Sequence, residues 1–406
     1  MNTVLKTDLF SEKELEQYAE ILIWGVETAR QKEFKLGEII LIKSHMTAMP
    51  LVRVIHKTIL LRGMNPICRI NSPSDMEYNF YDLSNENQLT FIEPGEEELL
   101  RSINGIINIR APEALTHLET IDPENINKVV RSQNFLKVIM NQRQQKKQLS
   151  WTLCGYPTSA RAKHANLTLQ EYANKIKTAC YLNHPKALSV WKEVYQQIVD
   201  IKKWLLSLNI KHLHVESNQI DLKFSIGNQR KWLGLSGRNI PSFEIFTSPD
   251  WRTVNGTYFS DQPAYINGNY VKDIRLVLNN GCVINATAEA GENFLNKRLN
   301  TDAGAVRVGE FSLTDRRFSK IDSYMADILY DENYGGKYGN CHIALGAAFD
   351  TAYTGNQSLT KEQRLDLGFN DSAIHWDIVN TEPKIVIAEM VSGKKQIIYE
   401  NGQFKY

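Results

Sequence analysis

The stretch from Gly37 to Ile70 constrains the fold most. Glu38–Lys43 is an apolar run of strand length, Pro50 opens a helical pattern, and Ile67–Ile70 is a second strand-length run. Proline suits the first turn of a helix, where its missing N–H costs nothing. Strand, helix, strand in that order requires a crossover that lays the two strands side by side and parallel, with the helix against the sheet. The alternation continues. Ile103–Ile109 and Leu149–Cys154 read as strands, and helical spacing recurs over 125–147, 168–181 and 186–206. Ahead of these, Ser11-Glu12-Lys13-Glu14 has the form of a capping box, and Leu15, Tyr18, Ala19, Leu22 and Val26 carry it on as a helix over 12–31. A parallel sheet flanked by helices is expected for the first half.

After Leu208 the pattern changes. His212–Ser217 and Gln219–Ile226 alternate as antiparallel strands do, and Tyr270–Leu278 and Cys282–Ala288 flank the turn signal Asn279-Asn280-Gly281 as a hairpin. A helix follows over 292–300. The expected fold is therefore a two-domain α/β protein. Its N-terminal parallel-sheet α/β domain covers 1–210, and a C-terminal α+β domain with a mostly antiparallel sheet covers 211–406.

Charge narrows the function classes. Lys+Arg number 47 and Asp+Glu 46, for a formal net charge of +1 over 406 residues. That balance argues against a nucleic-acid or membrane-surface protein, which would carry a basic excess. No run of apolar residues reaches the length of a membrane span. The five cysteines, Cys68, Cys154, Cys180, Cys282 and Cys341, form no CxxC pair. They point to a reducing interior, and a cytoplasmic location is the expectation. No glycine-rich fingerprint follows a strand and no GxSxG elbow occurs, so neither a dinucleotide site nor a serine triad is indicated. His45 directly follows a strand, where open α/β sheets take ligands. With no partner near it in sequence, it reads first as a loop or packing residue. His212 and His214 share a strand face with Glu216, and that face reads first as merely polar.

Chemistry-bearing residues gather in the second half. Glu244, Glu310, His342, His375 and Asp377 are carboxylates and imidazoles of the kind divalent zinc, cobalt or manganese accept. Five such groups exceed the need of one tetrahedral ion and suit a pair. His375 and Asp377, two apart in an extended segment, point to one face. Cys341, beside His342, points to the other and reads as packing. Residue type alone also allows other roles. A glutamate before the turn Phe246-Thr247-Ser248-Pro249 can cap or form an ion pair, and a histidine beside Ile343 and Ala344 can simply be packed.

Ordered blocks along the chain carry a resemblance. Glu244-Ile245-Phe246-Thr247-Ser248-Pro249-Asp250, Thr301-Asp302-Ala303-Gly304-Ala305, Gly309-Glu310, Asp331-Glu332-Asn333, His342-Ile343-Ala344-Leu345-Gly346 and Ser372-Ala373-Ile374-His375-Trp376-Asp377 are the chief ones. They resemble the aminopeptidase T (thermophilic aminopeptidase) family of dinuclear metallo-aminopeptidases. The resemblance implies a C-terminal catalytic domain, two divalent metal ions (Zn, Co or Mn), homodimeric assembly and peptide substrates with a free N-terminus. It places the metal ligands at Glu244, Glu310, His342, His375 and Asp377. The implied reaction removes the N-terminal residue by attack of a hydroxide held between the ions, with Glu244 or Glu310 as the catalytic glutamate that shuttles the proton. Two positions depart from the family pattern. Phe349 stands where a tyrosine is usual, and Phe243 where a glutamate is usual. Phenylalanine has no hydroxyl to ligate or hydrogen-bond, so Asp350 or Tyr353 is a candidate substitute. The rival expectation is a non-catalytic member of the family that binds peptides or serves as a structural component.

Overall fold

The computed structural model describes residues 9–266, 269–355 and 359–406. The chain forms two compact units. One comprises residues up to Trp191 together with Ser236–Pro241; the other comprises Lys192–Leu235 and Ser242–Tyr406.

In the first unit, helix α1 (Glu12–Arg30) begins at the expected capping box. Glu14 donates its backbone N–H to Ser11 Oγ, and Ser11 N–H donates to the Glu14 carboxylate. Strands β1 (Ile39–Ser44), β2 (Asn65–Ile70), β3 (Gly105–Arg110) and β4 (Ser150–Gly155) form a parallel sheet in the order β2–β1–β3–β4, with Asn239–Ile240 added parallel to β4. Helix α2 (Met49–Leu61) makes the β1–β2 crossover. Ile40, Leu41 and Ile42 are all fully buried, as a strand covered on both faces must be. The strand order has a functional corollary. From β1 the chain moves to β2 on one side, then returns to β3 on the other, so the direction of winding reverses between β1 and β3.

Three local differences from the sequence reading have physical causes. Strand β2 begins at Asn65 and contains Pro66; it is an edge strand, and a proline with no ladder N–H is tolerated there. The helical pattern over 125–147 is two helices, Pro123–Ser132 and Asn134–Gln145, broken at Gln133 (φ −89°, ψ 1°). A one-residue break leaves the apolar spacing of Val129 and Leu136 continuous, so periodicity cannot register it. Helices Ser74–Leu83, Glu86–Leu89 and Glu96–Ser102 are short and mostly exposed, so they carry no apolar periodicity to mark them in the sequence.

In the second unit, strands β5 (Glu244–Thr247), β6 (Val308–Thr314), β7 (Asn340–Gly346) and β8 (His375–Asn380) form an antiparallel sheet in the order β8–β7–β6–β5. An eight-stranded antiparallel sheet runs from Cys282–Thr287 at one edge, through Ile274–Asn279, Asn255–Ser260, Asp221–Ser225, Ile210–Glu216, Ile385–Met390 and Lys395–Glu400, to Gln403–Phe404. Its first two strands are the expected hairpin. Asn280 and Gly281 both take positive φ (48° and 80°), the left-handed pair that a tight hairpin turn demands and Asn-Gly supplies. The sheets meet through rings. Phe224 packs on Phe311 at 4.9 Å, and the buried Tyr258 hydroxyl donates to the carbonyls of Ile378 (2.7 Å) and Cys341 (3.2 Å).

One buried ion pair ties α1 to the start of the first unit's sheet. The Arg30 guanidinium donates to Glu38 Oε2 from Nη1 (2.7 Å) and to Oε1 from Nη2 (2.6 Å), with only 2% of Arg30 exposed. Its Nε also donates to the Lys147 carbonyl (3.2 Å). Removing one member of such a pair strands a desolvated charge. Glu38→Ala should therefore lower unfolding stability by about 3 kcal/mol in urea denaturation; a change within measurement error would show that water reaches Arg30.

Candidate metal centre

The alternation of β-strands decides which side chains meet. In an antiparallel sheet, directly opposed residues share a face, and so do residues two apart. In the β5–β6 register Thr314 opposes Glu244. Across β6–β7, Ser312 opposes His342 and Glu310 opposes Ala344. Across β7–β8, Ala344 opposes Asp377 and Gly346 opposes His375. These pairings place Glu244, Glu310, Ser312, His342, His375 and Asp377 on one face. The other face holds Ile245, Phe311, Leu313, Cys341, Ile343, Leu345, Trp376 and Ile378, all buried. Cys341 thus faces away from His342, beside the Tyr258 hydroxyl. The small residues Ala344 and Gly346 on β7 leave room between the functional groups of β6 and β8.

All five residues expected from sequence come together. His342 Nε2 lies 3.4 Å from Glu244 Oε2, 3.3 Å from Glu310 Oε1 and 3.9 Å from Asp377 Oδ1. His375 Nε2 lies 3.4 Å from Glu310 Oε2 and 3.2 Å from Asp377 Oδ1. Two groups able to hold a metal ion emerge, Glu244–Glu310–His342 and Glu310–His375–Asp377. Glu310 belongs to both, one oxygen turned toward each imidazole. The groups around them orient the set. Ser312 Oγ donates to Glu244 Oε2 (3.4 Å), and His375 Nδ1 donates to the Ala347 carbonyl (2.9 Å). A carbonyl only accepts, so Nδ1 carries a hydrogen and Nε2 is the atom left for the carboxylates.

Burial and mutual charge set the electrostatics of the site. His342 is fully buried, Glu310 is 3% exposed and Glu244 8%. Burial pushes the Glu244 carboxyl up, and the charges of Glu310 and Asp377 add to that. Burial works against the charge on His342, yet its contacts with Glu244 and Glu310 outweigh it and hold the ring well above the ordinary imidazole range. His375 behaves alike, with Asp377 as the main opposing influence. Burial would raise Asp377, but His375 overcomes it and draws that carboxyl below its usual value. A fourth carboxylate, Glu332, is also buried. Burial and the charges of Glu244 and Asp377 hold its pKa well above the usual range. Three buried carboxyls and the half-buried Asp377 thus share two imidazoles, with Glu244 and Glu332 pushed toward the neutral form and Asp377 held as the anion. A divalent cation would favour the ionised form of each carboxyl it touches. The donor set fits divalent metal, with no thiolate among the ligand atoms.

Other sequence candidates take other roles. His214 bridges Glu216 (3.0 Å) and Asp221 (2.7 Å) and belongs to neither ligand group. Asp350 pairs with Arg364 (2.7 Å) and is likewise outside both groups. Phe349 places its ring edge-on to His375 with centroids 4.9 Å apart, and beside Phe246 at 5.3 Å. Phe243 is fully buried. Glu332 and Ser312 were not singled out from sequence as site residues. Ser312 could have been found by period-2 reasoning, lying two residues after Glu310 in the same strand. Glu332 lies just past the short helix Ile328–Asp331, where no strand periodicity betrays its direction.

This geometry agrees with relationships seen over the whole chain. Residues 11–404 match the thermophilic metalloprotease (M29) family, and the chain belongs to that family. Aminopeptidase 2 of Geobacillus stearothermophilus is 27% identical, over 97% of this chain and 98% of its own length. Aminopeptidase AmpS of Bacillus subtilis (strain 168) is 23% identical, over 98% of this chain and all of its own length. Among solved structures, wild-type AmpT from Thermus thermophilus superposes with a TM-score of 0.80, at 19% identity, over 97% of this chain and 100% of that one. It shares the mixed fold of one parallel and further antiparallel sheets. Family and ligand groups together fit a divalent metal cofactor.

Proposed function

We propose that this protein is a metal-dependent aminopeptidase that hydrolyses the N-terminal residue from peptides. The observation that carries the reading is Glu310, whose two oxygens each face a different ligand group. That arrangement suits two divalent ions, one held by Glu244, Glu310 and His342 and the other by Glu310, His375 and Asp377. Carboxylate and imidazole donors leave zinc, cobalt and manganese as the candidate metals. The names of the full-length relatives support the exopeptidase activity. The catalytic part is the C-terminal one, 211–406, which contains all five ligands. On the resemblance, the enzyme is a cytoplasmic homodimer acting on peptides with a free N-terminus.

When bound, the ions would polarise the scissile carbonyl and lower the pKa of an attacking water toward neutrality. The chain's own groups do the rest. With the ions bound, His342 and His375 would each release a proton and offer neutral Nε2, the second ring held in orientation by the Ala347 carbonyl. Of the two glutamates first considered for proton transfer, Glu310 has both oxygens engaged, and Glu244 has one turned to His342 and Ser312. Glu332 lies outside both ligand groups, is buried, and feels the charges of Glu244, Asp377 and Glu310. With cations bound to offset those charges, it would be the carboxyl outside the ligand groups left to take a proton during attack and return it to the leaving amine. Phe349, 38% exposed, and Phe246 add an apolar surface beside His375 for a substrate side chain. The non-catalytic alternative is not favoured, because the Phe349 substitution leaves every carboxylate and imidazole of the two groups in place.

Chelated protein should lose cleavage of free-amine peptides and regain it with zinc, cobalt or manganese, while N-acetylated peptides stay intact throughout. Equal cleavage of blocked and free peptides would point instead to a different amide hydrolase. His342→Ala and His375→Ala should each abolish turnover. Glu332→Gln should lower kcat by about 10²–10⁴-fold with divalent metal content unchanged; wild-type kcat in that variant would return the proton-carrying role to Glu244 or Glu310.

A further inference from the structure

The first unit contains a second feature that the metal centre does not use. At the carboxyl ends of β1 and β2, under the helices Ser74–Leu83 and Pro123–Ser132, lies a cavity of about 490 Å³. Its lining residue His45, at the end of β1, also touches Ile109 and Ala111 at the end of β3, across the β1/β3 boundary where the winding of the sheet reverses. Open parallel sheets bind ligands at such reversals, because the loops leaving adjacent strands part there and leave a crevice.

The groups lining the cavity have unequal partners. Lys43 and Arg69 oppose each other in the β1–β2 register, an adjacency of like charges that costs stability unless something offsets it. The Arg69 guanidinium is neutralised by Glu96. Among the described residues the Lys43 ammonium has no ion pair or hydrogen bond. Next to it, His45 Nδ1 lies 3.2 Å from the backbone N–H of Ala111 and 3.4 Å from the Ile109 carbonyl. The shorter contact makes Nδ1 the acceptor in the neutral ring and puts the hydrogen on Nε2, for which the described residues supply no acceptor. Burial lowers the His45 pKa, so the ring stays neutral near pH 7 and donates without charge. Also lining the cavity, the Glu93 carboxylate has no ion pair among the described residues. The apolar lining comes from Phe80, Tyr81 and Phe91, and the Phe80 and Phe91 rings are 39% and 64% exposed.

We propose that this cavity binds a zwitterion bearing an apolar side chain, namely a short peptide or free amino acid, with its α-carboxylate on Lys43 Nζ and His45 Nε2–H and its ammonium on Glu93. A phosphate ligand fits less well. The loop Ser44–Ala48 between β1 and α2 contains no glycine, so it offers no backbone cradle of the kind phosphates use. The volume exceeds that of a single amino acid and suits a di- or tripeptide. The choice of peptides over other zwitterions rests on the aminopeptidase reading; the site itself does not.

The test uses the full chain, chelated so that no peptide is cleaved, titrated calorimetrically with leucyl-phenylalanine, its C-terminal amide, its N-acetyl form and free phenylalanine. Wild-type protein should bind the dipeptide, and Lys43→Gln should weaken it about tenfold or more. The amide should bind wild type weakly and lose nothing further in Lys43→Gln, because the two changes remove the same contact. Glu93→Gln should give the matching result with the N-acetyl form. Binding of phenylalanine alone would identify the released product as the occupant, and binding of the dipeptide alone would identify the peptide. Affinity of the bound ligand unchanged by Lys43→Gln, or no heat from either dipeptide or phenylalanine at millimolar concentration, would overturn the proposal. Cleavage by the metal-loaded wild type, measured separately, reports on the aminopeptidase reading, so the two can fail independently.

Discussion

The Glu310 carboxylate is the constraint on which the site depends. It projects from a strand whose residues are all buried; the neighbouring β7 brings the His342 imidazole toward it, and β8, one strand further on, brings that of His375. A carboxylate in that position, among other buried carboxylates, is costly unless positive charge accompanies it. The sheet makes the arrangement possible by a simple rule. Alternation puts every second residue on one face, so β6 contributes Glu310 and Ser312 while Phe311 and Leu313 go to the apolar side. The same alternation on β7 and β8 delivers His342 and the pair His375 and Asp377. The hydrophobic face, closed by Phe224 and Tyr258 from the larger sheet, fixes the register. A slip of one residue would bury the carboxylates in the core and expose the apolar set. Chemistry and stability are therefore coupled through the same hydrogen-bonded ladder.

The two units use different architectures for different ends. The first is wound from parallel strands with buried faces, and its ligand-competent region lies at strand ends, where loops diverge. The second presents functional groups from all four strands of an antiparallel sheet, with Glu310 and His342 on the two central strands, whose backbone is hydrogen-bonded on both sides. A rigid sheet suits a metal centre, since ligand directions must be set before the ions arrive. A loop-lined cavity tolerates ligands of varied shape.

Much of this was legible in the sequence, for identifiable reasons. The β–α–β rhythm from Gly37 to Ile70 and the capping box at Ser11 are local signals, and they specify the parallel unit. His375 and Asp377 announce their common face by their spacing. The union of Glu244 with Glu310 and His342 is not local, because those residues lie on three strands far apart in the chain; residue type and the resemblance brought them together before the geometry did. Glu332 stands in the block Asp331-Glu332-Asn333 that carries the resemblance, but beyond a short helix no strand period shows which way its side chain turns. His45 illustrates the opposite case. Its position after a strand was visible, but its environment depends on Lys43, Ala111 and Glu93, which only the fold assembles. The helix break at Gln133 leaves no trace in the sequence pattern, because one residue between two helices leaves the apolar stripe intact.

The most direct test of the central claim is crystallographic. Crystals of the protein loaded with zinc, measured at the zinc absorption edge, would show anomalous scattering wherever an ion is bound. The account predicts two peaks about 3.5–4 Å apart, one beside Glu244 and His342, the other beside His375 and Asp377, with a Glu310 oxygen contacting each. A single peak, or a pair that Glu310 does not join, would contradict it.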